Sequence, residues 1–384
     1  MKKQLLFIID WLRLGGAEKS LISLLPLIDY SHYDVDLLIF KRGGIYEKYL
    51  PKEVNIIDYE LFGSSMAGTI GNFVFDALLS LKFKLYPKRH GAEIYWRTVH
   101  SQFKPLTKVY NAAIAYQQGT PTFFLATKVK ADKKLAWVNA DIFKAGYDMN
   151  YCKSFYEKID HVVAVSDKLA GLLQTKLPWI TDRLACIYDI LNPVLIKELS
   201  KESIQDMARQ GEEYIFVTVG RLSQPKNHML AVDAALVLKQ RGLSFKWYFI
   251  GGGELKSAIE KKIHDNHLTD HVTLLGTKEN PYPYIANADV YIQSSSFEGF
   301  GLTIAEAKIL HKPIVSTNFD VVHDQIEDHK NGIIVGMNPE SLADGIIELI
   351  NGESLRQSII NNLEHEKNTT METEISKLYQ LIDN

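Results

Sequence analysis

Short apolar runs alternate with amphipathic stretches along almost the whole chain. Leu5–Ile9 is an unbroken apolar run, as expected of a parallel strand covered on both faces. Gly15 and Gly16 follow, and then Leu21, Leu24, Leu25 and Ile28 recur at helical spacing. A strand, a glycine turn and a helix form the first unit of a doubly wound sheet. Further strands are predicted at Val35–Phe40, Asn55–Asp58, Ala112–Tyr116, Lys134–Val138 and His161–Val165. The alternation restarts at Tyr214–Val219 and continues through Trp247–Ile250, Val272–Leu275, the run Ala288–Ile292 and Pro313–Thr317. Asn192-Pro193 lies between the two series, and the restriction that proline places on its predecessor predicts an extended link. The pattern therefore predicts two Rossmann-like domains, residues 1–194 and 195–366. A last helix, within 367–384, follows a polar break at Glu364–Thr370.

The stretch Ser294–Leu310 is the most informative. It leaves a strand, passes a glycine-punctuated turn (Glu298-Gly299-Phe300-Gly301) and enters a segment where Leu302, Ala305 and Ile309 share one helical face. Glycines let a ligand approach the backbone, and the first-turn N–H groups of Leu302, Thr303 and Ile304 are expected to lack intrahelical partners. With the positive end of the helix they make a site for an anion such as a diphosphate. Glu298 and Glu306 flank that site, on the order of 10 Å apart from the helical rise plus the turn. Each is placed to meet hydroxyls on either side of the phosphates, roughly the reach from ribose to sugar in a nucleotide sugar. A capped turn with a half-exposed helical glutamate accounts for the same spacing without a ligand.

Glu298 and Glu306 with the intervening Gly-Phe-Gly-Leu-Thr-Ile-Ala resemble the E-x7-E motif of retaining glycosyltransferases, family 4 of the GT-B fold. Gly220-Arg221-Leu222 with Lys226-Asn227 resembles the same family's V-G-R-L…K-N signature, and Asn331-Gly332 its N-G segment. The resemblance implies two Rossmann-like domains facing a cleft, the first holding the acceptor and the second a nucleotide sugar. It implies Arg221 and Lys226 on the leaving diphosphate, Glu298 on the donor sugar and Glu306 on the ribose diol. Gly15, Gly16, Phe300, Gly301, Leu302 and Thr303 would line the donor site, and the nucleobase would lie near Gly276, Thr277, Lys278 and Tyr282. UDP is the expected nucleotide, and no metal or other cofactor is expected. Asn139 stands where the family commonly has a histidine; it can position a ligand but cannot take a proton near neutral pH.

Composition narrows the alternatives. With 384 residues, 46% apolar and 23% charged, the chain suits a soluble protein of two domains. Its net charge of −3 argues against a nucleic-acid partner. Cys152 and Cys186 are read as small hydrophobes in a reducing compartment. No apolar run approaches the ~18 residues of a membrane span, and Asp10 stops the first run too early for a secretion signal. A cytoplasmic location is expected. Asp34-Val35-Asp36 has the form of a metal-binding D-x-D, but no other ligand spacing accompanies it. In Gly251-Gly252-Gly253 a dinucleotide fingerprint would need a small residue at 256, where Lys256 stands.

Residues 72–108 carry Lys82, Lys84, Lys88, Arg89, Arg97, Lys104 and Lys108 among Phe73, Phe75, Leu78, Leu79, Phe83, Tyr86, Tyr95 and Trp96, with only Asp76 and Glu93 opposing. Peripheral docking on an anionic bilayer and a buried helix pair with a solvated basic rim both explain such a stretch. A sugar-nucleotide epimerase or phosphorylase on the same scaffold, or a non-catalytic membrane-associated scaffold, remain as alternatives to transfer, since fold alone does not fix chemistry.

Overall fold

The computed structural model describes residues 2–13, 15–59, 78–87, 89–207, 209, 211–366 and 370–383. Among the described residues thirteen strands are formed: β1 (Lys3–Trp11), β2 (Tyr33–Lys41), β3 (Val54–Ile57), β4 (Val109–Ala115), β5 (Lys130–Val138), β6 (His161–Ala164), β7 (Leu184–Cys186), β8 (Tyr214–Val219), β9 (Phe245–Ile250), β10 (Val272–Gly276), β11 (Val290–Gln293), β12 (Ile314–Thr317) and β13 (Ile333–Val335). They build two parallel sheets, one in each of two compact units. The first unit is Met1–Ile190 with Thr369–Asn384, and the second is Leu191–Asn368.

In the first unit the order is β3-β2-β1-β4-β5-β6-β7. Leu5–Ile9 lies in the middle, with none of its five side chains more than 1% exposed, because helices cover both faces of the sheet. The helix Thr370–Asp383 belongs to this unit. Tyr379 stacks on Tyr33 at 5.3 Å, Tyr33 donates its hydroxyl to Asp383, and Glu374 accepts the Tyr188 N–H. Leu378 and Ile382 are buried.

In the second unit the order is β10-β9-β8-β11-β12-β13. Phe216 and Trp247 face one apolar cluster, packed by Ala231, Leu238 and Ile346, while Val217, Tyr248 and Tyr291 face the other with Ile304 and Ala307. Leu302, Ala305 and Ile309 pack on that second cluster but are only partly buried; Ile304 and Ala307 form the deep seam. In both sheets the strand order reverses beside the first strand, between β1 and β4 and between β8 and β11. Crevices at the carboxyl ends of strands open at such points.

Two expectations are corrected. Asn192 is extended, as the proline rule requires, but Pro193 does not continue a link. It opens the helix Pro193–Leu199, with the Asn192 side chain accepting from the Val194 and Leu195 N–H groups. Proline at a first helical position gives up only an N–H that would have no partner anyway. Within 72–108 the two readings divide by position. Residues 78–85 are helical, and Leu78, Leu81, Phe83, Leu85 and Tyr86 are exposed. By contrast, Trp96 and Phe103 are core residues, Arg89 and Arg97 pair with the fully buried Glu93, and Lys108 pairs with Asp36. Phe73, Phe75, Asp76 and Lys88 fall outside the described residues, as do 367–369 of the polar break.

Candidate active site

The loops after β8 and β11 meet at the reversal point of the second sheet. The Ser296 N–H donates to the Pro225 carbonyl at 2.8 Å, and the Ser294 hydroxyl donates to the Lys226 carbonyl at 3.1 Å. This stitching brings Lys226 to Glu298. The ammonium donates to Oε1 at 2.6 Å and to Oε2 at 2.7 Å, with both side chains largely shielded from solvent. Arg221 lies on the same β8 loop; its side chain is exposed and makes no ion pair among the described residues. The loop is held close to its neighbour: a Cβ on Gly251 would lie 1.9 Å from the Gly220 carbonyl, so that position admits only glycine.

Glu298 is held by more than lysine. Its Oε1 also accepts from Gln293 Nε2 and from the Ser295 hydroxyl, each at 2.6 Å. Gln293 Oε1 in turn accepts from the Tyr291 hydroxyl at 2.6 Å and from Thr303 Oγ1 at 3.1 Å. Gln293 and Ser295 were not singled out from the sequence. The available signal was a polar residue, 293, closing an apolar strand whose every position is buried.

Gly301 takes φ +88° and caps the helix Leu302–Ile309. A left-handed residue there turns the chain sharply into the helix, which is why glycine serves. One expected donor is lost: Ile304 N–H bonds the Gly301 carbonyl at 2.9 Å in a tight first turn. Among the described residues the Leu302 and Thr303 N–H groups make no backbone hydrogen bond. The Phe300 carbonyl accepts from the Gln325 amide. Glu306, eight positions after Glu298, is fully buried and accepts from the Tyr282 hydroxyl at 3.2 Å. Tyr282 thereby ties the stretch Gly276–Tyr282 to Glu306. Lys278 is engaged by Asp206, which also takes the Tyr284 hydroxyl. Gly276 has φ +70°, and its carbonyl accepts the Gly251 N–H, so Gly276 and Thr277 border the same glycine loop.

In the first unit Gly15 caps the helix Gly16–Leu24 in an extended conformation, and the Glu18 carboxylate folds over it: a Cβ on Gly15 would lie 2.1 Å from Glu18 Oε2. Asn139, just after β5, donates its amide to the Tyr116 carbonyl at 2.9 Å, leaving its buried Oδ1 as an acceptor with no donor among the described residues. Two acids beyond those picked from the sequence lie here. Burial pushes Asp10 up to about 7, against the pull of Lys41 and with the charge of Glu18 adding to it. Asp189 is likewise raised to about 7 by burial, with a Ser20 hydrogen bond opposing. Asp36 of the D-x-D is spent on Asn55, Lys108 and Tyr110. Burial raises both cysteine thiols to about 12, as for small apolar residues.

Residues 200–366 match the family model "Glycosyl transferases group 1". The matched residues lie within the second unit. A curated relative, an uncharacterized glycosyltransferase of Methanocaldococcus jannaschii, is 23% identical to this chain over 168 residues, 43% of this chain and 41% of the relative. The N-acetylgalactosamine-N,N'-diacetylbacillosaminyl-diphospho-undecaprenol 4-alpha-N-acetylgalactosaminyltransferase of Campylobacter jejuni is 24% identical over 320 residues, 83% of this chain and 79% of its own length. Among solved structures, Anabaena HepE in complex with UDP and glucose aligns over 98% of this chain and 99% of its own with a TM-score of 0.69 at 17% identity. Likeness of that kind establishes the fold alone, which is GT-B.

Proposed function

We propose that the chain is a retaining glycosyltransferase that moves a sugar from a nucleoside diphosphate sugar, with UDP as the nucleotide, to a hydroxyl of a glycan or lipid-linked acceptor in cell-surface polysaccharide or glycoconjugate synthesis. The observation that carries the reading is the Lys226–Glu298 pair, joined across the two loops that follow β8 and β11 and lead into helices, with Arg221 on the same loop as Lys226. Arg221 and Lys226 meet the diphosphate, whose negative charge grows as the bond to the sugar C1 breaks. The Leu302 and Thr303 N–H groups and the positive helix end add to that, so the charge is balanced without a metal. Glu298 accepts from a sugar hydroxyl, and Glu306 serves the ribose side. The new C1–O bond forms on the face the diphosphate leaves, and the departing phosphate oxygen takes the acceptor proton. UDP in the HepE complex and the undecaprenol-linked acceptor in the Campylobacter enzyme's name support the choice of substrates.

Membrane contact belongs to the same reading. Leu78, Leu81, Phe83, Leu85 and Tyr86 form one exposed apolar run beside Lys82 and Lys84, and they are most of the exposed large apolar side chains among the described residues. Such a surface suits the face of an anionic bilayer, where a lipid-linked acceptor would reside. Among the described residues no helix is long and apolar enough to cross a membrane.

The test is to screen UDP-, GDP- and ADP-sugars for thermal stabilisation and turnover. Stabilisation by UDP and release of UDP with retention at the sugar C1 are expected. Binding without turnover of any donor would leave the scaffold reading in its place, and interconversion of the free nucleotide sugars would favour an epimerase.

A further inference from the structure

The strongest unassigned feature is the buried amide of Gln293, only 1% exposed, lying between the start of the helix Leu302–Ile309 and Glu298. Its orientation is determined by its neighbours. On the carbonyl side stand two hydroxyl donors, Tyr291 and Thr303; on the amino side stand the Glu298 carboxylate and the Ser295 oxygen, the latter at 2.7 Å. The flipped amide would set its carbonyl oxygen 2.6 Å from a carboxylate oxygen, a contact between two acceptors. With the amide fixed, the protons around Glu298 are assigned. Ser295 accepts from Gln293 and donates to Glu298, so Glu298 Oε1 receives three donors in all, from Lys226, Gln293 and Ser295. Oε2 receives only the Lys226 ammonium.

We propose that Gln293 is the positioning residue of this site: it fixes the Glu298 carboxylate so that Oε2 alone is left to accept a hydroxyl of the donor sugar. This inference rests on the proposed transfer reaction. It has a second consequence at Thr303. Because the Thr303 hydroxyl donates to Gln293, it offers the diphosphate no proton, and the backbone N–H groups bind the phosphate oxygens instead. One buried amide thus joins the phosphate end of the site to the sugar end.

The experiment compares Gln293→Leu and Tyr291→Phe, each in the wild-type chain and in a Glu298→Ala background. The donor is the UDP-sugar turned over fastest among UDP-glucose, UDP-galactose and their N-acetyl analogues, with a radiolabelled sugar to follow residual turnover. Gln293→Leu is expected to lower kcat by at least about tenfold while UDP affinity changes by less than about threefold. Tyr291→Phe removes one hydroxyl without a change of shape, so folding is not in question; a smaller loss in the same direction is expected. In the Glu298→Ala background neither change should cost anything further, because the group they position is gone. Equal losses with and without Glu298, or a loss of UDP affinity matching that of kcat, would overturn the assignment, as would undiminished kcat in both variants. If the wild-type chain turns over none of these donors, the proposed reaction fails and takes this inference with it. That result is separable because it appears before any variant is made.

Discussion

The Lys226 ammonium sits 2.6 Å and 2.7 Å from the two carboxylate oxygens of Glu298, joining loops 72 residues apart in the chain. The pair has two consequences. In the proposed reaction a diphosphate would share the ammonium with Glu298, which would link phosphate binding to the set of that carboxylate. Removing either partner also leaves the other largely shielded from solvent without its counter-charge, which costs more than the lost contact alone.

Lys226→Ala and Arg221→Ala are each expected to weaken UDP binding, by about tenfold to a hundredfold for loss of one charge-assisted phosphate contact. Calorimetric titration with UDP measures this directly. Unchanged affinity in both variants would remove the diphosphate from this loop.

Glu298→Ala should act mainly on turnover. In the proposed reaction its contact to a sugar hydroxyl would matter most as positive charge develops on the sugar, so kcat is expected to fall on the order of a hundredfold while the affinity for UDP alone stays within about threefold. Steady-state kinetics beside a UDP titration separates the two. A parallel fall in both would assign Glu298 to ground-state binding.

Asp189 makes stability depend on pH. Its carboxyl is raised from 3.8 to about 7 by burial, so the folded chain holds a proton that the unfolded chain releases. Stability is therefore greatest at low pH in this respect and is lost as pH rises from about 4 through about 7, where the folded group must also ionise. Asp189→Asn should raise the melting temperature at pH 8, by an amount reflecting at most roughly 4 kcal/mol, and the gain should vanish near pH 4. Scanning calorimetry at the two pH values provides the check; an equal gain at both would point to packing rather than ionisation.

Cutting the chain after residue 366 should weaken the first unit and spare the second. The lost helix supplies the Tyr33–Tyr379 stack, the Asp383 contacts to Tyr33 and Lys3, and two buried apolar side chains. Tyr379→Ala alone should cost about 1–3 kcal/mol, for an aromatic that loses both its stack and its hydrogen bond to the Asp29 N–H. Urea unfolding followed by limited proteolysis locates the loss.

Much of this was legible in the sequence. Tyr214–Val219 forms a strand at the predicted residues, and the other predicted strands are shifted by a few residues at one or both ends, because a run covered on both faces is apolar throughout. Arg221, Lys226 and Glu298 stood out as charged residues at glycine-rich strand ends, and the structure brings two of them, Lys226 and Glu298, into contact. Three things were hidden. Strand β7 has only three half-buried residues, too few to show a period. The Ile304 N–H is consumed by a tight turn that depends on the conformation of Gly301, which no pattern reports. Gln293 looks like an ordinary polar residue until the positions of Tyr291, Thr303 and Glu298 show that all its hydrogen bonds are made.

The helix Thr370–Asp383 also bears on the order of assembly during synthesis. The second unit is a continuous stretch of chain inserted within the first, whose sequence resumes only at Thr369. As the ribosome delivers the polypeptide, the inserted unit can complete its own core while the earlier-made unit still lacks a covering segment, so the part translated first is the last to be finished.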